Sequence, residues 1–147
     1  MNIPILLAAF ALGAALNAAP TFAQYAKTLE GIVINIGIVK ALMAEHVDVQ
    51  HGVHKGGHAG GAEHILVSLA QEKGGARIAD AQVFIELRDP KGKVQRKPML
   101  AMTTAGFPDY SEVFDFDWSG SYRLRVSIMR TGMARPVEAE FRLNRPL

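Results

Sequence analysis

Apolar and polar residues alternate with a period of two along most of the chain after residue 30. The clearest segments run from Tyr122 to Ile128 and from Pro136 to Leu143, where apolar residues at every second position alternate with charged or polar ones. This is the period of a β-strand with one buried face. Apolar runs of strand length occur in five further segments: 31–39, 64–72, 80–89, 94–102 and 111–118.

Turn residues separate these segments at regular intervals. Gly74-Gly75, the stretch from Asp89 to Lys93, Ser119-Gly120 and Thr131-Gly132 each close one apolar run. A long amphipathic helical pattern is not found after the first 23 residues. The sequence therefore predicts an all-β fold, an antiparallel immunoglobulin-like β-sandwich of about seven strands.

The segment from Gly120 to Leu124 places a glycine two residues before Tyr122, which opens an alternating strand. This arrangement is typical of the tyrosine corner of immunoglobulin-like sandwiches. GSYRLRVSI, a turn and PVEAEFRL together resemble the closing hairpin of small exported immunoglobulin-like domains of proteobacteria, including the YtkA-like group. This resemblance covers about the last third of the chain and implies the fold.

The first 23 residues contain no charged side chain, and Ile3 to Leu16 form an apolar stretch. That stretch is shorter than the roughly 20 residues of a membrane-spanning helix, and Thr21-Phe22-Ala23 fits a small-x-Ala cleavage site. We expect a signal peptide over 1–23 and one domain over 24–147, located in the periplasm. Because no Lys or Arg precedes the apolar stretch, a retained membrane anchor is the alternative.

Composition narrows the classes of function. The 147 residues are 49% apolar and 20% charged, as in an ordinary globular domain, and the net charge of +2 is too small to predict nucleic-acid binding. The absence of cysteine excludes disulfides, thiolate zinc sites, iron–sulfur clusters and a cysteine nucleophile. No nucleophile elbow, phosphate loop or dinucleotide motif is present, so we expect no enzyme.

All five histidines of the protein fall between residues 46 and 64: His46, His51, His54, His58 and His64. The same stretch holds five glycines and lacks the periodicity of a helix or a strand, so it predicts a His/Gly-rich loop over 45–64. Neutral imidazole is a common ligand of copper, zinc and nickel, and a glycine-rich backbone lets several rings converge. The match is compositional, since no rigid motif such as His-Glu-x-x-His is present.

Two methionines in KPMLAM, Met99 and Met102, add thioether sulfur. Thioethers select Cu(I) where cysteine is absent, although methionine also fills hydrophobic cores. The order of the strand segments, the His/Gly-rich loop, KPMLAM and SGSYRLRVSI is similar to small exported proteobacterial proteins associated with transition-metal handling, especially of copper. This resemblance covers most of the expected mature chain, residues 24–147, and implies an association with metal, not a reaction.

These patterns favour a periplasmic, non-enzymatic carrier or buffer of copper, with zinc and nickel as less favoured cargo. The expected partners are the metal ion and an envelope metal transporter or assembly protein. An alternative is an immunoglobulin-like envelope module that binds a protein partner, in which the His-rich loop is only a solvated linker. A pH sensor is a third reading and ranks last, because no bistable element is identifiable.

Overall fold

A computed structural model describes residues 24–40 and 61–145. The predicted signal peptide lies outside these residues. Within them no helix is long and apolar enough to cross a membrane. Nine strands account for the regular structure of this part of the chain: β1 (Gln24–Leu29), β2 (Ile32–Lys40), β3 (Ala62–Gln71), β4 (Ala81–Arg88), β5 (Val94–Pro98), β6 (Leu100–Thr104), β7 (Phe107–Asp115), β8 (Gly120–Arg130) and β9 (Val137–Arg145).

The strands form two antiparallel sheets. One has five strands in the order β1-β2-β3-β7-β6, and the other has four in the order β5-β4-β8-β9. Without β1 and β5, these orders are those of the A-B-E-D and C-F-G sheets of a constant-type immunoglobulin domain. The predicted all-β, immunoglobulin-like sandwich is confirmed.

The core lies between the two sheets and follows the predicted alternation. In β8 the apolar residues Tyr122, Leu124, Val126 and Ile128 are fully buried, while the arginines between them are exposed. β2 and β3 contribute isoleucine, valine and leucine from the opposite sheet, since their inward positions are also every second residue. The alternation of apolar and polar residues in the sequence therefore identified which face of these strands is buried.

One predicted strand is two strands in different sheets. The segment 94–102 divides at Met99: β5 pairs with β4 in the four-stranded sheet, and β6 pairs with β7 in the five-stranded sheet. β5 ends at Pro98, which has no N–H to continue a ladder. At the crossing, the Met99 amide donates to the Val83 carbonyl at 2.8 Å, and its side chain is buried.

β1 and β7 also differ from the prediction. β1 was not predicted, because QYAKTL lacks a clean alternation, and it forms an edge by pairing with β2 alone. β7 begins at Phe107, four residues before the predicted start at Ser111, and it ends at Asp115. Phe116 is buried beyond the strand, whereas Trp118 is 43% exposed and leaves the face predicted for it.

Candidate metal-binding region

The chain leaves and re-enters the five-stranded sheet at one end, on either side of residues 41–60. β2 and β3 are antiparallel neighbours, and Lys40 lies opposite Glu63 in their register. The chain therefore leaves β2 and enters β3 at the same end of the sheet, within about one strand spacing of 4.8 Å. The predicted ligands that lie outside the described residues are His46, His51, His54 and His58.

His64 is the third residue of β3, after Ala62 and Glu63, and lies on the outer face of the sheet. Glu63 and Ile65 on either side of it point inward and are buried, so the pleat turns the imidazole outward. His64 is half-buried, and its Nδ1 lies 3.1 Å from Oγ of the buried Ser111 on β7. This hydrogen bond orients the ring at the end of the sheet where the His/Gly-rich segment rejoins it.

The inward neighbour of His64 takes part in an ion pair between the two sheets. The Arg145 guanidinium on β9 donates two hydrogen bonds to the Glu63 carboxylate, one of them at 2.8 Å. This bonding raises the pKa of Arg145 against the opposing effect of its burial. The guanidinium also lies 4.7 Å from the centroid of the Phe116 ring, within the range of a cation–π contact. The sequence analysis did not predict this pair. Glu63 lies two residues before the buried Ile65, so the alternation in β3 places both side chains on the inward face.

The predicted tyrosine corner is confirmed. The Tyr122 hydroxyl accepts a hydrogen bond from the Trp118 amide at 2.9 Å and donates one to the Trp118 carbonyl at 2.8 Å. Burial raises the pKa of the Tyr122 phenol. The Tyr122 ring is 5.0 Å from the Phe116 ring, and the Phe116 amide donates to the Gly61 carbonyl at 2.8 Å. The corner thus adjoins the residue at which the described chain resumes after the His/Gly-rich segment.

The two candidate methionines lie on different faces. Met99 is 7% exposed and belongs to the core, whereas Met102 is half-buried on the outer face of β6, opposite Asp109. From the register, four residues and two strand spacings separate His64 from Met102, which corresponds to roughly 16 Å between their Cα atoms. His64, Met99 and Met102 are therefore not brought together.

The described strands contain no ready-made metal site. No group of three or more His, Cys, Asp or Glu side chains within residues 24–40 and 61–145 is placed to hold an ion.

The outer faces of the two sheets differ in charge. Outward positions of β2, β3, β6 and β7 are mostly small or apolar, with Asp109 and Asp115 the two carboxylates among them, while those of β4, β8 and β9 carry arginine and glutamate.

Several solved structures share this fold. A copper-bound variant of FetP from uropathogenic Escherichia coli is 12% identical, with a TM-score of 0.62 over 84% of this chain and 98% of that one. Copper-reconstituted P19 from Campylobacter jejuni is 13% identical, with a TM-score of 0.62 over 82% of this chain and 92% of that one. A DUF4426 family protein from Pseudomonas aeruginosa is 12% identical, with a TM-score of 0.60 over 82% and 94%.

No family model and no curated protein sequence matches the chain. At 12–13% identity the structural likeness establishes the fold, a small all-β sandwich domain. The resemblance to the YtkA-like group stays a prediction.

Proposed function

We propose that this protein is a periplasmic, non-enzymatic copper-binding protein that carries or buffers the metal through its His/Gly-rich segment. In this proposal the ligands are imidazoles of His46, His51, His54, His58 and His64. The observation that carries the proposal is the register of Lys40 opposite Glu63, because it ties both ends of the segment to one end of a sheet. Because residues 41–60 leave from and return to one end of this sheet, we infer that the imidazoles they carry can gather around one ion together with His64. Several imidazole ligands around one ion suit copper, zinc and nickel.

Copper is favoured over zinc and nickel by the proteins that share the fold. FetP and P19 are both described with copper, and FetP was obtained by expression in the periplasm of Escherichia coli. Cu(II) also heads the affinity order of the divalent first-row metals for a given set of imidazole ligands. A soft Cu(I) site at Met99 and Met102 is the least favoured part of the proposal, since Met99 points into the core and Met102 lies on the outer face.

A calorimetric titration tests the proposal. The purified protein is titrated with Cu(II), Zn(II) and Ni(II), and with Cu(I) under reductant, beside a variant in which all five histidines are asparagine. Asparagine keeps the segment polar, so the variant is matched for solubility. We expect a defined stoichiometry and a copper Kd below about 1 μM, lost in the variant. Weak binding without preference among the metals would refute a carrier or buffer.

The separate contribution of His64 is measurable in a variant that keeps only this histidine. If His64 completes the site, restoring it to the five-asparagine variant leaves binding weak, while removing it alone from the wild type lowers affinity by about tenfold or more. Unchanged affinity after His64→Asn would exclude His64 from the ligand set and leave the other four.

Export is tested on the same material. We propose that the first 23 residues are removed after Ala23, so the mass of the protein recovered from the periplasm corresponds to a chain that starts at Gln24. Recovery of the full-length chain from the membrane fraction would show a retained anchor instead.

A second candidate function is an envelope module that binds a protein partner through the five-stranded sheet. Leu100 is 52% and Phe107 54% exposed, and both lie on the outer face of that sheet. Exposed apolar side chains on a nearly uncharged face favour a protein interface. In this case Leu100→Ser with Phe107→Ser abolishes partner binding, measured by cross-linking in the envelope, and the five-asparagine variant leaves it unchanged.

A further inference from the structure

Three arginines lie side by side on the outer face of the four-stranded sheet. Arg88 on β4 is opposite Arg123 on β8, and Arg123 is opposite Arg142 on β9. The residues that flank them in sequence on β8 and β9 are buried, so the three side chains point to solvent. With neighbouring strands about 4.8 Å apart, this arginine row spans roughly 10 Å between its outer Cα atoms.

Two of the three strand carboxylates on this face pair with other arginines, and the third, Glu138, lies opposite Ser127, four residues along β9 from Arg142. Glu86 accepts from Nε of Arg96 at 2.7 Å, and Glu140 accepts from Nη2 of Arg125 at 2.8 Å. Arg88 approaches Glu86 only to 3.9 Å. Among the described residues no ion pair joins Arg123 or Arg142 to a carboxylate. The arginine row therefore has a net positive charge.

This arrangement works against the fold. Like charges directly opposite each other on neighbouring strands destabilise a sheet, whereas the next row pairs Arg125 with Glu140 across the same two strands. The arrangement calls for a ligand that brings the missing negative charge, because the core needs only the inward residues of these strands.

The arginine row also borders a recess. Arg88, Arg123 and Arg142 line a shallow concavity together with Pro90 and Ser121 at the start of β8. Ser121 is exposed and supplies a hydroxyl. Asp89 is at the same place, but its Oδ1 accepts from the amides of Lys91 and Lys93, both at 2.8 Å, so this carboxylate is held within its own turn.

We propose that the arginine row is a binding site for a phosphate group. The planar guanidinium donates two parallel hydrogen bonds that match the oxygens of phosphate, and three of them neutralise a dianion that a single lysine or arginine does not. The Ser121 hydroxyl donates a further hydrogen bond to the same group. The site is on the sheet opposite to the one that carries His64, and the inference does not depend on the proposed copper function.

The test is a titration of the whole protein with inorganic phosphate at low ionic strength, followed by the NMR signals of the arginine Nε–H groups. The variants are Arg123→Gln, Arg142→Gln and Arg123→Lys, and the control is Arg135→Gln. Arg135 carries the same charge but lies between β8 and β9, at the end of the sheet opposite to the arginine row. Its guanidinium pairs with the Glu30 carboxylate. Sodium chloride at matched ionic strength controls for screening.

We expect saturable binding that weakens about tenfold in Arg123→Gln and Arg142→Gln, and by an intermediate factor in Arg123→Lys, which keeps charge without the planar fork. Arg135→Gln should change the affinity by less than about twofold. Equal weakening in Arg135→Gln, or no binding of phosphate, overturns the proposal. Thermal unfolding verifies the fold of each variant, and removing a charge from the arginine row should not lower the midpoint.

Vesicles identify the source of the phosphate group. Co-sedimentation with phosphatidylglycerol vesicles, absent with phosphatidylcholine vesicles and lost in Arg123→Gln, assigns the site to a lipid headgroup. Binding of inorganic phosphate without co-sedimentation assigns it to a soluble phosphate compound. Co-sedimentation that survives Arg123→Gln and Arg142→Gln shows that another surface attracts the membrane and counts against the arginine row.

Discussion

The Arg145 guanidinium donates two hydrogen bonds to the Glu63 carboxylate, although the two residues lie in different sheets. Glu63 is 8% exposed and directly precedes His64 in β3. The ion pair therefore ties β9 to the strand end at which the His/Gly-rich segment rejoins the fold. A carboxylate buried in this way is tolerated because a charged partner satisfies its oxygens.

Arg145→Ala should lower the free energy of unfolding by about 2–3 kcal/mol, because it leaves Glu63 buried without its partner. Urea unfolding of the variant measures this loss. Arg135→Ala, which removes a solvent-exposed ion pair with Glu30, is the control and should cost less than about 1 kcal/mol. Equal losses in the two variants would mean that the pair between Glu63 and Arg145 stabilises the fold no more than a solvent-exposed ion pair.

Tyr122→Phe should lower the free energy of unfolding by about 2 kcal/mol. The phenylalanine ring fills the same space, but the Trp118 amide and carbonyl both lose their hydrogen-bond partner. Tyr25→Phe is the matched control, since no hydrogen bond of the Tyr25 hydroxyl to another described residue is found. A Tyr122→Phe variant as stable as Tyr25→Phe in urea would contradict the role given to the corner.

Met99→Ala should destabilise the protein by about 2–4 kcal/mol, because it opens a cavity in the core where the chain crosses between sheets. Met102→Ala, on the outer face, should cost less than about 1 kcal/mol. Thermal unfolding distinguishes them. Met99→Leu should retain both stability and copper affinity, and a loss of Cu(I) binding in this variant would show that Met99 is a ligand.

Asp109→Asn should stabilise the protein at neutral pH. Burial raises the pKa of the Asp109 carboxyl above its ordinary value of 3.8, and the Arg77 guanidinium at 3.9 Å only partly offsets this effect. A carboxyl with a raised pKa favours the folded state below pH 3.8, and this contribution is lost as the pH rises through the folded-state pKa. The asparagine variant removes that dependence.

Chemical denaturation of Asp109→Asn between pH 3.5 and 7 tests this sign, with exposed Glu138→Gln as the control for a lost negative charge. The gain in stability over wild type should grow with pH across this window. A gain that shrinks with rising pH would show that Arg77 outweighs the burial of the carboxyl.

Copper affinity should fall as the pH is lowered from about 7.5 to about 5.5, because protons compete for imidazole nitrogens whose ordinary pKa is near 6.5. Titrations at several pH values in a buffer that does not bind copper measure this change. Affinity that is unchanged over this range would exclude histidine as the main ligand.

Strands with a clean alternation were predictable. The inward residues of β8 and β9 were identified because a strand with one buried face must repeat every second residue. β1 was missed, since an edge strand with Ala26, Lys27 and Thr28 in succession is mostly exposed and has no such repeat. The division at Met99 was not predictable, because both halves of the segment alternate and only their pairing partners differ.

The candidate site divides in the same way. The clustering of histidines is visible in the sequence, and four of the five lie outside the described residues, so they remain predictions. The orientation of His64 toward Ser111 depends on two strands that are distant in sequence. The arginine row also depends on register, since residues 88, 123 and 142 become neighbours only when β4, β8 and β9 align.

The sequence by itself determined the all-β class, the buried faces, the tyrosine corner and the concentration of imidazoles, because these are local patterns of hydrophobicity and residue type. Only the tertiary structure decided which strands share a sheet, that Glu63 meets Arg145, and that three arginines lie opposite one another. Those relationships join residues far apart in the chain, and strand register, which the packing of the whole core selects, determines them.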